Sequence, residues 1–154
     1  MSERVKITVK VDVDAAIETA WTSFITEDSI MQWNHASDDW RCPWAKNDFK
    51  VGGEFIYRME ANDGSFGFDF GGKYLEIEEQ KIIVYELGDN RIVEVKFIKD
   101  GNKSKIIETF DAEGENTLDL QKNGWQAILD NFKQFAENIT YRIGKAGSET
   151  RSEI

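Results

Sequence analysis

The chain has 154 residues and a net charge of −10 at neutral pH, with 40% hydrophobic and 31% charged residues. That length suits one domain around a single core, at a size where roughly 70% of the unfolded chain's surface is buried on folding. The acidity repels phosphate backbones and anionic membranes, which excludes nucleic acid as a partner class; otherwise it reads as a source of solubility.

Cys42 is the single cysteine, so no internal disulfide is expected and a reducing compartment fits. No apolar run approaches the ~20 residues of a membrane span. Met1 to Lys10 alternates instead of forming the continuous apolar stretch of a signal peptide. The expectation is a cytoplasmic protein without stable membrane insertion, monomeric by default.

Val5, Ile7, Val9, Val11 and Val13 alternate with polar residues and predict a strand with one buried face. Asp14 is placed to cap a helix carrying Ile17, Ala20, Trp21 and Phe24. Thr26 or Asp28 starts a second short helix with Ile30, Met31 and Trp33. From Asn34 to Lys50 neither periodicity holds, which predicts a long loop of functional length carrying Trp40, Trp44 and the lone His35.

Gly52-Gly53 opens the next strand, with Phe55, Tyr57 and Met59 on one face and Glu54, Arg58 and Glu60 on the other. Asn62-Asp63-Gly64 is a hairpin signal. Phe66, Phe68 and Phe70 then alternate with Gly67, Asp69 and Gly71. The apolar parity changes at Leu75 and Ile77, and a bulge or bend at Gly71-Gly72 is the expected cause. Further strands follow over Ile82–Leu87, Ile92–Ile98 (Val93, Val95 and Phe97 on one face) and Lys105–Phe110. Asp100-Gly101-Asn102 marks a second hairpin.

Asn116 is placed to cap the one long helical pattern, with Asp119 near its positive end. Trp125, Ile128, Leu129, Phe132, Phe135, Ala136 and Ile139 recur there at helical spacing as a wide apolar stripe. A single domain is expected over residues 1–143, and residues 144–154 read as a disordered tail.

The order is strand, two short helices, five hairpin-linked strands, long helix. Tight antiparallel connections make a meander whose apolar face must be covered by the helices. The expected fold is α+β: a curved six-stranded antiparallel sheet wrapped around the C-terminal helix, with two short helices between the first and second strands.

Several local motifs, in this order and spacing, carry a resemblance. They are Asp14-Ala-Ala-Ile-Glu-Thr-Ala-Trp21, Met31-Gln-Trp33, Val51-Gly-Gly53 with Met59 and Asp63-Gly64, Gly71-Gly-Lys-Tyr-Leu-Glu-Ile77, and Asn123-Gly-Trp-Gln-Ala-Ile-Leu-Asp-Asn-Phe132. From Val5 to about Asn138 the chain resembles the START-like superfamily with the helix-grip fold. Its branch resembles the stand-alone domains named after the C-terminal domain of the Hsp90 ATPase activator. The resemblance implies a hydrophobic cavity under the long helix, in a fold used to bind lipids, polyketides, hormones and other apolar molecules. Some superfamily relatives are cyclases or other enzymes. Co-chaperone activity is not implied, because in the eukaryotic co-chaperone a separate N-terminal domain accompanies the homologous one and none is read before Val5.

The candidate ligand-binding residues on the sheet are Phe55, Tyr57, Met59, Phe66, Phe68, Phe70 and Phe97, facing Trp125, Ile128, Leu129 and Phe132 on the helix. Aromatic stripes of this kind equally make a solid core. Trp40 and Trp44 read either as a lid on the pocket or as anchors for their loop. Tyr57 or Tyr85 supplies an occasional hydrogen bond. Gly124, inside the helix, is explained by close helix–sheet packing or by approach to a ligand.

His35 has no second histidine for a metal site, and no CxxC, HExxH, GxSxG or phosphate-loop pattern is present. No catalytic residue, cofactor or metal is therefore assigned. The leading expectation is binding of an apolar or amphipathic small molecule, lipid-like or polyketide-like. An enzyme of the polyketide cyclase or hydrolase kind is the alternative, using a tyrosine, His35 or an inward carboxylate. A chaperone-related interaction module is the third reading.

Overall fold

The computed structural model describes the backbone of residues 4–153 and the side chains of residues 4–139. The tail expected to be disordered from 144 falls beyond the described side chains. Strand β1 (Lys6–Val13) leads into α1 (Ile17–Ile25) and α2 (Glu27–Trp33). Short strands β2 (Trp40–Arg41) and β3 (Ala45–Asn47) precede β4 (Glu54–Ala61), β5 (Gly67–Glu78), β6 (Ile82–Leu87), β7 (Ile92–Asp100) and β8 (Lys103–Asp111). Helix α3 (Leu118–Glu153) follows.

All pairings are antiparallel, in the order β1-β8-β7-β6-β5-β4-β2, with β3 also on β4. The meander and gripping helix are as expected, but among the described residues the sheet has eight strands, not six. The two extra strands come from the segment read as a loop. Both are too short to reveal a period, and β4 supplies their hydrogen-bonding partner: the amide of Arg58 donates to the carbonyl of Trp44 at 3.0 Å.

Alternation explains the inner face. Val9 and Val13 on β1, Ile83 and Leu87 on β6, Val93 and Val95 on β7, and Ile106 and Phe110 on β8 are all buried. The helices cover this face with Ala20, Trp21, Ile30, Trp33, Leu129 and Phe132. The Trp33 indole N–H donates to the carbonyl of Ser23 at 2.9 Å, locking α2 onto α1.

Three local expectations are corrected. Asp14 and Asn116 do not cap helices. Helix α1 begins after Ala16 with no side-chain cap, and the Asp14 amide instead donates to Glu137 Oε2 of α3 at 2.8 Å. The Thr117 hydroxyl caps α3, accepting from the Leu120 amide at 3.1 Å. The bulge in β5 lies between Tyr74 and Glu76, not at the glycine pair. Gly72 and Tyr74 therefore keep the inward parity of Phe70, and Leu75 turns out to solvent.

The glycine pair has a packing cause. A methyl group on Gly72 would stand 2.7 Å from the Glu86 carbonyl oxygen and 2.9 Å from the Phe55 ring. On the outer face, Arg58 pairs with Glu60 at 3.1 Å and Asp69 at 3.2 Å, as strand alternation predicts.

Candidate functional site

A cavity of about 260 Å³ lies between the sheet and the helices. Its sheet wall consists of Phe55, Tyr57 and Met59 from β4, Phe68, Phe70 and Tyr74 from β5, and Ile83 and Tyr85 from β6. Trp125 and Ile128 of α3, Phe24 and Ile25 of α1, and Trp33 and Asn34 at the end of α2 close the other side. Two charged residues border it: Arg91, in the turn before β7, and Glu108 of β8.

Seven of the thirteen residues singled out from sequence border this space: Phe55, Tyr57, Met59, Phe68, Phe70, Trp125 and Ile128. The others do not, each for a local reason. Phe66 precedes β5 at the hairpin tip and is 73% exposed. Trp44 points out from the sheet edge, with the Lys46 ammonium 5.6 Å from its ring. Trp40 stands beside Phe68, centroids 6.0 Å apart, but does not itself border the cavity. Phe97 and Phe132 lie behind Phe24, whose ring contacts both at 5.3 Å and takes the place at the wall expected of them. Leu129 is one residue round the helix from Ile128 and fully buried in the core. His35 does not border the cavity.

The aromatic wall is built by contact between adjacent inward positions. Phe55 touches Tyr57 (4.8 Å), Tyr74 (5.3 Å) and, edge to face, Tyr85 (4.9 Å). Phe70 meets Trp125 at 6.1 Å, and Trp125 stacks on Phe110 at 3.9 Å. Offset and edge-to-face contacts of this kind fix ring positions and add modestly to burial.

The polar lining is sparse. The Tyr74 hydroxyl donates to Asn47 Oδ1 at 2.5 Å, and Tyr57 interacts in turn with Tyr74. Burial pushes the Tyr74 hydroxyl up to about 12 and also raises Tyr57 and Tyr85 well above the ordinary phenol value. All three phenols stay protonated at neutral pH and serve as hydrogen-bonding groups. Arg91 is neutralised by Asp89, its Nε donating to Oδ2 at 2.7 Å.

Glu108 is the residue that sequence reasoning missed. It sits on β8 between Ile106 and Phe110 on the inward parity, across from Val95 of β7 and Val9 of β1. Those two flanking apolar residues were the available signal. Its residue exposure is 7%, and burial alone drives its carboxyl from 4.5 up to about 8. No hydrogen bond or ion pair reaches it among the described residues. Yet no buried side-chain oxygen lacks both a partner and access. The carboxyl therefore keeps its access through the cavity it borders. Tyr74 was hidden by the misplaced bulge, and Arg91 had no periodic signal at all.

The sequence of residues 14–137 matches the model of the activator of Hsp90 ATPase homolog 1-like proteins. The chain belongs to that family. An AHSA1-like protein of Aeromonas hydrophila is 38% identical, with a TM-score of 0.83 over 88% of this chain and 94% of that one. A Cytophaga hutchinsonii protein is 46% identical, with a TM-score of 0.75 over the same shares of the two chains. A Chromobacterium violaceum protein at 18% identity shares the fold, with a TM-score of 0.77 over 86% of this chain and 98% of that one. No curated protein matches the sequence. The likeness to AHSA1-like proteins spans the helices and strands that enclose the cavity. Among the described residues no helix is long and apolar enough to cross a membrane.

Proposed function

We propose that this AHSA1-like protein binds a small apolar or amphipathic molecule in the cavity between the sheet and α3. The observation that carries the reading is a preformed aromatic space of about 260 Å³ with few polar groups at its wall. Ligand pockets combine an apolar lining with a small number of placed polar groups, and usually start at roughly 300 Å³. The volume favours a compact ligand over a long-chain lipid. Aromatic side chains supply the burial; Tyr85, Asn34 and Glu108 supply orientation.

Catalysis is the weaker reading, because no histidine, serine or cysteine borders the cavity among the described residues. Glu108 has no hydrogen-bonded partner, the phenols stay protonated, and Arg58 lies on the outer face. An interaction module would present a filled core and a broad exposed apolar patch. Native mass spectrometry of gently purified protein, followed by organic extraction, tests the proposal. A co-purifying apolar molecule lost on denaturation is the expected result. An empty protein that also ignores a panel of small apolar compounds would overturn it.

A further inference from the structure

Glu108 is a buried carboxyl without a hydrogen-bonding partner among the described residues, and it borders an aromatic cavity. Such a group is costly unless something supplies hydrogen-bond donors. The protein supplies none among the described residues, so the donors have to come with the ligand.

Building on the binding reading above, we infer that the cavity takes an apolar molecule bearing a protonated amine, whose ammonium group pairs with Glu108. An ammonium brings three donors and a charge opposite to that of the ionised carboxylate. The surrounding rings of Tyr57, Phe70, Tyr85 and Trp125 offer faces that attract a cation. A net charge of −10 draws cations toward the molecule. Arg91 also borders the cavity, but its charge is spent on Asp89. An anionic ligand would share a low-dielectric space with Glu108.

The groups facing Glu108 leave it as the one that titrates near neutrality. Strands β4, β5 and β6 contribute the phenols of Tyr57, Tyr74 and Tyr85, and the turn before β7 contributes Arg91. Strands β1 and β7 contribute Val9 and Val95. The helices contribute apolar side chains and the amide of Asn34. In the free protein at pH 7 the Glu108 carboxyl is mostly protonated, with its value at about 8. Binding an ammonium then expels that proton to solvent, leaving a carboxylate–ammonium pair. An alcohol expels none.

Isothermal titration with octylamine, octanol and octanoate, in buffers of differing ionisation enthalpy, tests this. Octylamine is expected to bind at least about tenfold more tightly than octanol above pH 8. It is also expected to release close to one proton at pH 7. Glu108→Gln is expected to erase both the preference for octylamine and the proton release. The proton count on the natural chain stands even where that variant folds poorly. Equal binding of amine and alcohol without proton release overturns the inference and leaves the binding reading intact. Tightest binding of octanoate overturns it in favour of Arg91. Binding by none of the three overturns the cavity reading itself.

Discussion

The indole of Trp125 lies flat on the ring of Phe110, with centroids 3.9 Å apart and planes 13° apart. This stack fastens α3 to β8 two residues from Glu108. The helix that covers the cavity and the strand that carries its unpaired carboxyl are thereby joined through one contact. The same indole meets the ring of Phe70 on β5 at 6.1 Å, with planes 76° apart.

The Glu108 carboxyl makes stability depend on pH in an unusual direction. Its folded value is raised from 4.5 to about 8, so between these values the folded state holds a proton that the unfolded state has lost. Stability from this group is complete below 4.5, falls as pH rises through that window, and levels off above about 8. Denaturant unfolding of wild type and Glu108→Gln at about pH 5 and about pH 9 isolates it from the other carboxylates. The variant's advantage is expected to grow by on the order of 4 kcal/mol between the two. A pH-independent difference would place Glu108 in water.

Gly72→Ala is expected to destabilise the sheet by about 1–3 kcal/mol. The added methyl meets the Glu86 carbonyl, which is fixed backbone, and the Phe55 ring, which is wedged against Tyr57, Tyr74 and Tyr85. Thermal unfolding checks this; an unchanged midpoint would mean that the Phe55 ring has room to shift.

Gly124→Ala is expected to act in the opposite sense. An added methyl there meets no atom within 4 Å, so the close packing expected from sequence is not its reason. Removing a mid-helix glycine should raise stability by up to about 1 kcal/mol. A loss of stability in the same melting experiment would reveal a neighbour that comes close only in solution.

The fold was legible because it rests on periodicity. Alternation marked β1, β4 and β7, the 3.6-residue stripe marked α3, and turn dipeptides separated the hairpins. The site was legible only in part. The residues on long regular elements, such as Phe55 and Tyr57 by strand parity and Trp125 and Ile128 by helical spacing, do border the cavity. Phe97 and Phe132 were displaced from the cavity wall by Phe24, and no pattern within a single element foretells which of three converging rings stands in front. The β5 bulge shifted by a few residues, which exchanged Tyr74 for Leu75. Glu108 was obscured because a charge on a strand is ordinarily assigned to the solvent face.

Ile128→Trp tests the cavity by filling it. Ile128 lies on the wall and is half-buried, so a larger ring can enter the open space without forcing the Leu129–Phe132 core apart. Octanol affinity is expected to fall by at least about tenfold, with a stability change under about 1.5 kcal/mol. Wild-type affinity would remove the ligand from this wall. The same enlargement at Phe132, which is 0% exposed, should instead destabilise the fold.

Methyl-selective NMR during a titration with octanol measures the central claim most directly. Ile83, Ile128 and Met59 present methyl groups at the cavity from three different elements, while Ile56 and Ile98 lie outside on the sheet. Saturable shifts confined to the first group, with Ile56 and Ile98 unmoved, are predicted. Shifts spread over the exposed methyls, or none at all with octanol in excess, would contradict a ligand-binding cavity under α3.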